Sequence, residues 1–307
     1  MRVAVIGRTE ILYNTALALK QAGHEISCIL TAREAPEYTR TAEDFRQLAE
    51  KWGTPFARGA RIMEHIDFLR ACNPDIGVSM NYPAIVPQEA IDIFPFGILN
   101  AHGGDLPRYR GNACQAWAIL NGEERIGLCI HKMIGCELDS GDIIARDYLP
   151  INHNTKITYV WEWMARRVPE LVLEAISRLE ADPTYILEQQ SKDPKDALRC
   201  YPRRPEDGRI DWRRPAIEVL RLINASNKPY AGAFCEYEGR KLIVWDAALV
   251  EDHECFCAVP GQVVAIGDGY VDVACGAGKL RLFQVQLEGE SDISPAYLIS
   301  SIRRRLA

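Results

Sequence analysis

Residues 1–31 read MRVAVIGRTEILYNTALALKQAGHEISCILT, and the succession of patterns in that stretch decides the fold. Arg2 to Ile6 is a short β-branched run. Ile11 to Ala22 then carries apolar residues at helical spacing, and after a Gly-His turn Ile26 to Leu30 forms a second apolar run. This is a β-α-β opening. Glu43 to Trp52 and His65 to Cys72 read as further helices, and Ile76 to Ser79 as a third buried strand leading into the loop Asn81 to Pro87. Strands that alternate with helices predict an α/β fold: a mostly parallel, Rossmann-like sheet with helices on both faces.

Farther along, Val160 to Leu179 has a long amphipathic pattern interrupted by Pro169, and it is expected to close the first domain with helix. A stretch rich in Pro, Lys, Arg and Asp follows. Beyond it come a helix at Ala216 to Ala225 and the runs Ala233 to Tyr237, Lys241 to Trp245, Gly261 to Ala265, Tyr270 to Ala274 and Lys279 to Gln286, separated by Gly turns. These predict a small antiparallel, OB-like barrel. The expected organisation is a catalytic domain over 1–190, a linker over 191–208 and a small domain over 209–307.

The 307 residues carry 36 basic and 42 acidic side chains, a net charge of -6, which gives no average attraction to a polyanion or an anionic membrane. Small-molecule partners are expected, with neither nucleic acid nor membrane favoured and a homodimer left open. The opening lacks the basic start and small-residue cleavage site of a signal peptide, so a cytoplasmic location is expected. The 10 cysteines stand mostly singly inside apolar runs, where a thiol serves as a small hydrophobe. The one close pair, Cys255 and Cys257, has no second pair at zinc-site spacing, and no metal is expected.

Open α/β sheets bind ligands beyond the carboxyl ends of their strands, which directs attention to two loops. One follows Phe96 to Leu99 and reads NAHGGDLPRYRG from Asn100 to Gly111; the other follows Leu128 to Met133 and reads CELDSGD from Cys136 to Asp142. Asn100 and His102 stand two apart, so an extended backbone points both side chains the same way. An amide and an imidazole aimed at one point suit a carbonyl oxygen that gains charge under nucleophilic attack. A carboxylate is then needed to set the imidazole's protonation or to take a proton from the attacking group, and Asp139 is the candidate. Taken singly, each of the three has an ordinary structural explanation: a turn Asn, a satisfied His, an Asp beside a Gly turn.

The segment NAHGGDLPRYRG, with HKM from His131 and DSGDII from Asp139 behind it, resembles the formyltransferase family, in which Asn-x-His and a downstream Asp form the catalytic set. RPEDGRIDW and KPYAGAF, from Arg204 and Lys228, extend the resemblance into the small second domain of the tRNA and sugar branches. The resemblance implies N10-formyltetrahydrofolate as formyl donor. It also implies a folate pocket made by Asn81, Tyr82, Pro83, Ala84, Ile85, Val86, Leu138 and Asp142. One departure stands out: where the family usually has Ser-Leu-Leu-Pro, this chain has Gly104-Asp105-Leu106-Pro107, and Asp105 brings a negative charge near His102.

Among acceptors, the near balance of acidic and basic residues after position 200 argues for a nucleotide-linked 3- or 4-amino deoxysugar, with Arg8, Thr9, Asp105, Arg108, Tyr109 and Arg110 expected at the substrate. The alternative is methionyl-tRNA, with local clusters of Arg203, Arg204, Arg213, Arg214 and Arg303 to Arg305. From other classes come a nucleotide-binding oxidoreductase and a non-catalytic binding protein. The first lacks the Gly-x-Gly-x-x-Gly fingerprint after Gly7, and the second does not require Asn100, His102 and Asp139 together.

Overall fold

The computed structural model describes residues 1–252 and 254–307. Two compact units are present: residues 1–114, 126–149 and 161–201 form the first, and 115–125, 150–160 and 202–307 the second. The division at Tyr201 and Pro202 falls inside the expected linker, and two short segments of the expected first domain cluster with the second unit.

The first unit is organised by β1 (Arg2–Gly7), α1 (Glu10–Gln21) and β2 (Glu25–Thr31), as the opening stretch predicts. There follow α2 (Ala42–Trp52), β3 (Phe56–Arg58), α3 (Ile66–Cys72), β4 (Ile76–Met80), α4 (Gln88–Ile91) and β5 (Ile98–His102). Then come β6 (Arg110–Gly111), α5 (Cys114–Asn121), which from Gln115 on belongs to the second unit, β7 (Arg125–Lys132), β8 (Ile143–Pro150), α6 (Ile157–Ala181), whose first turn also belongs to the second unit, and β9 (Arg199–Cys200). The seven-stranded sheet runs β3-β2-β1-β4-β5-β7-β8. The steps from β3 to β5 are parallel, and β7 then runs antiparallel to β5. Val3 to Gly7 and all of β4 and β5 are buried, as expected of strands covered on both faces.

Two local details set where loops can go. Thr9, with φ 98°, caps α1 by accepting the Leu12 amide, so the turn after β1 is fixed by a helix cap. Gly7, with φ 135°, lies so close to β4 that a Cβ there would stand 2.1 Å from the Met80 carbonyl oxygen. Pro169 does not interrupt α6, which continues through it for 25 residues with Val168, Leu171, Val172 and Ile176 buried along it.

The second unit holds α7 (Ala216–Ala225) and a five-stranded antiparallel sheet of β10 (Ala233–Tyr237), β11 (Arg240–Leu249), β12 (Val263–Gly267), β13 (Tyr270–Ala274) and β14 (Lys279–Leu287), followed by α8 (Pro295–Leu298). Its order is β10-β11-β14-β13-β12. Leu220 and Ile223 of α7 join Leu242, Val244, Val271, Val273, Leu280 and Leu282 in one core cluster. Among the described residues no helix is long and apolar enough to cross a membrane.

Candidate active site

Asn100 and His102 occupy the carboxyl end of β5, and the antiparallel register sets His131 of β7 directly opposite Asn100. Cross-strand partners share a face, so three polar side chains meet on one side of the sheet. All three are buried: Asn100 is 9%, His102 7% and His131 1% exposed. The loop after β7 then brings Asp139 over them, in the left-handed region at φ 48°.

Asp139 is the centre of the arrangement. Its Oδ1 accepts from Asn100 Nδ2 at 3.3 Å and lies 3.4 Å from His131 Nε2. Its Oδ2 accepts from the Gly111 amide at 2.9 Å and lies 3.6 Å from His102 Nδ1. Asn100 and His102 share one face, and the point on which both side chains converge is the Asp139 carboxylate. Asn100 Nδ2 also lies 3.2 Å from His131 Nε2, so both of its hydrogens have partners.

The proton positions follow from the acceptors at the far side of each ring. His102 Nε2 lies 2.7 Å from the Tyr109 carbonyl oxygen, and His131 Nδ1 lies 2.9 Å from that of Lys132. A carbonyl only accepts, so these two nitrogens carry hydrogens, and the opposite nitrogen of each ring faces Asp139. Burial alone would push the Asp139 carboxyl up. The charge that His102 carries when protonated, then the bond and charge of protonated His131, then the Gly111 amide outweigh burial and hold it well below the usual carboxylate range. The centre is therefore an anion flanked by two imidazoles, each held by a carbonyl on its far side and facing Asp139 with its inner nitrogen.

Gln190 anchors this loop from the segment after α6. Its Nε2 donates to the carbonyls of Asp139 at 3.0 Å and Gly141 at 2.6 Å. No local sequence pattern gives a role to Gln190, Gly111 or His131. His131 stands out only as the first residue of HKM, because its pairing with Asn100 depends on a register that no local pattern encodes.

The loops expected to hold the folate adjoin this centre. The Cys136 amide donates to the Val86 carbonyl at 3.1 Å, and the Gly135 amide to Gln88 Oε1 at 2.9 Å. Pro83, Ala84 and Ile85 are exposed, Ile85 at 56%, and Leu138 is half-buried beside Asp139. Tyr82 and Val86 turn inward instead: the Tyr82 hydroxyl donates to the Gly59 carbonyl, and burial pushes its pKa up to about 12. Asn81 Nδ2 donates to the Tyr38 hydroxyl, and Asp142 Oδ1 accepts the Gln190 amide at 3.4 Å. Exposed Pro83, Ala84 and Ile85 on one of these hydrogen-bonded loops and Leu138 on the other are apolar surfaces that suit a flat ring system.

The residues expected to grip a nucleotide-sugar are mostly spent on the protein itself. Thr9 is fully buried as a helix cap, and Tyr109 is 2% exposed. Arg110 donates to Gln190 Oε1 and the Ser191 carbonyl, and the Asp105 carboxylate meets Arg146 at 2.7 Å. Arg8 donates to the carbonyls of Asn81 and Arg33. Arg108 alone of the six is well exposed, with its guanidinium over the Tyr109 ring.

Residues 1–176 match the Formyl transferase family and residues 203–303 the Formyl transferase C-terminal domain. The methionyl-tRNA formyltransferase of Akkermansia muciniphila is 31% identical over 98% of this chain and 96% of its own length. That of Ralstonia nicotianae is 32% identical over 94% and 91%. Among solved structures, an N-formyltransferase from Helicobacter canadensis in complex with folinic acid and dTDP-3-aminofucose shares the fold, with a TM-score of 0.70, 15% identity, and 93% of this chain and 100% of that chain covered. HypX from Aquifex aeolicus in complex with tetrahydrofolic acid matches with a TM-score of 0.63 and 20% identity over 98% of this chain, which spans 47% of that protein. The full-length relatives overturn the amino-sugar acceptor as an expectation. Net charge is a poor guide to the acceptor because it is an average, whereas a polyanion needs only a few well-placed arginines.

Proposed function

This chain belongs to the formyl transferase family, and we propose that it moves a formyl group from N10-formyltetrahydrofolate to the methionyl amine of an aminoacylated tRNA. The observation that carries the acceptor is the near-complete overlap with methionyl-tRNA formyltransferases, through the second unit as well as the first. When bound, the folate carrier supplies an activated N-formyl group. In this reading Pro83, Ala84, Ile85 and Leu138 pack against its ring, supported by the exposure of the first three and the half-buried position of Leu138.

In this reading Asn100 releases one of its two long hydrogen bonds and donates to the formyl oxygen as that oxygen gains charge. Bonds of 3.2 and 3.3 Å are inexpensive to exchange for a stronger one, and catalytic hydrogen bonds commonly tighten only once substrate is present. His102 Nδ1 takes the proton from the acceptor amine as that nitrogen bonds to the formyl carbon, and gives it to the carrier nitrogen as the carbon–nitrogen bond to the folate breaks; Nε2 stays on the Tyr109 carbonyl throughout, and Asp139 balances the positive charge His102 carries in between. Asp139 itself is a weak proton acceptor, because its environment favours the anion. The ten thiols are all free, which fits a reducing cytoplasm.

Arginines in the second unit are the groups to meet phosphates. Arg213, Arg214 and Arg304 are paired with Asp211, Glu218 and Glu238. Arg204, Arg303 and Arg305 are exposed. Purified protein with formyl-folate and Met-tRNA is expected to give formyl-methionyl-tRNA, with an affinity that falls by about 10³ or more between roughly 50 and 200 mM salt if about six or more phosphates are neutralised. Replacing Arg303 and Arg305 by Ala is expected to weaken tRNA binding and flatten the salt slope by about 1 for each phosphate that no longer meets an arginine. Absence of formylated product, or a flat salt dependence, would overturn the tRNA acceptor.

A further inference from the structure

The departure Gly104-Asp105 rebuilds the support of the catalytic centre. Gly104 stands against the ring of His102: a Cβ there would lie 2.5 Å from His102 Nε2 and 2.3 Å from the Tyr109 carbonyl oxygen. Only a residue without a side chain lets His102 reach that carbonyl in the observed orientation. Asp105, the next residue, is gripped by Arg146 of β8, whose side chain is 8% exposed. Arg146 Nη1 donates to Asp105 Oδ1 at 2.7 Å and Nη2 to the Leu106 carbonyl at 2.7 Å, so one planar guanidinium holds a side chain and a main-chain group of adjacent residues. Glu188 Oε2 lies 3.0 Å from the same Nη2.

The same loop touches the centre at two points. Tyr109 receives His102 Nε2, and the Gly111 amide donates to Asp139 Oδ2. A shift of the loop moves both at once. We propose that Asp105 and Arg146 form a positioning pair that sets the height of residues 104–111 above β5, so that the Tyr109 carbonyl fixes the proton of His102 on Nε2 and the Gly111 amide stays on Asp139. Neither residue touches the reacting atoms. The proposal rests on the reading of His102 and Asp139 as the reacting groups and is independent of which amine is the acceptor.

The test uses Asp105→Asn, Arg146→Lys and Asp105→Glu in the full chain, with two readouts. Nitrogen-15 NMR of the His102 imidazole in the substrate-free protein reports the tautomer directly, and steady-state kinetics separate kcat from KM. Asp105→Asn breaks the ion pair, and a lysine cannot serve the carboxylate and the Leu106 carbonyl together in one plane. Both variants are expected to mix the two His102 tautomers and to lower kcat by about 100-fold, the cost of misplacing a reacting group by about 1 Å, with KM values within about threefold. Asp105→Glu, which restores the carboxylate, is expected to recover most of both signals. If either variant keeps wild-type His102 shifts with kcat within about twofold, or if the loss falls in KM alone, the pair is not a positioning device. If Asp105→Asn fails to fold, the decision rests on Arg146→Lys, and a wild-type tautomer and kcat in that variant overturn the proposal. Failure of the wild type to formylate Met-tRNA would sink the acceptor reading and leave the NMR result standing.

Discussion

Asp139→Asn is expected to lower kcat by about 10³-fold while leaving KM for the folate within a few-fold. The substitution keeps the shape and removes the charge on which the other groups converge. An amide at 139 also turns one acceptor into a donor, facing Asn100 Nδ2, His131 Nε2, His102 Nδ1 and the Gly111 amide, of which Asn100 Nδ2 and the Gly111 amide can only donate. What the reaction then lacks is a counter-charge for protonated His102, and losses of about 10²–10⁴ are ordinary for a proton-handling group. The variant also carries a pH signature. Because the folded carboxyl is held below its unfolded value, its contribution to stability is fully present above the unfolded carboxylate pKa of about 3.9 and is lost as pH falls toward the folded value. Asp139→Asn is therefore expected to be less stable at pH 7 and to lose less than the wild type on acidification below about pH 4. Turnover within about tenfold of wild type, or unfolding curves that stay parallel in acid, would show that the anion at 139 does not organise the centre.

The first β-α-β unit, the long closing helix and the antiparallel second domain are legible in the sequence, because each rests on a local period. Asn100, His102 and Asp139 also come forward, since spacing and loop position are local too. How those residues are held is a different matter. His131 reaches Asn100 through an antiparallel step in a sheet that otherwise reads as parallel, and the register is a long-range fact. Tyr109 and Gly111 act through a carbonyl and an amide, which leave no side-chain signature. Thr9 is ambiguous for another reason. A threonine after a first strand suits a phosphate turn or a helix cap equally, and only burial decides for the cap. The acceptor is hidden because a balanced charge count says nothing about where the arginines stand.

Asn100→Asp should be more damaging at neutral pH than Asn100→Ala, although it changes fewer atoms. Alanine removes a donor to the developing oxyanion, a loss of about 10²–10³ in kcat. Aspartate removes the donor and sets a second carboxylate where Nδ2 stands 3.3 Å from Asp139 Oδ1. Two full charges at that separation repel by about 5 kcal/mol at an effective dielectric constant of about 20, so the pair keeps one proton between them well above the usual carboxylate range. At about pH 8 that proton is largely lost, a second negative charge stands where the oxyanion develops and no donor replaces the amide, so a loss of about 10⁴ or more in kcat is expected. On acidification the second carboxyl becomes an O–H donor of nearly the shape of the lost amide. Activity of Asn100→Asp relative to wild type is therefore expected to rise as pH falls from about 8 to 6, while the ratio for Asn100→Ala stays flat. A pH–rate profile for Asn100→Asp that runs parallel to that of wild type would mean that residue 100 and Asp139 are not electrostatically coupled in the working enzyme.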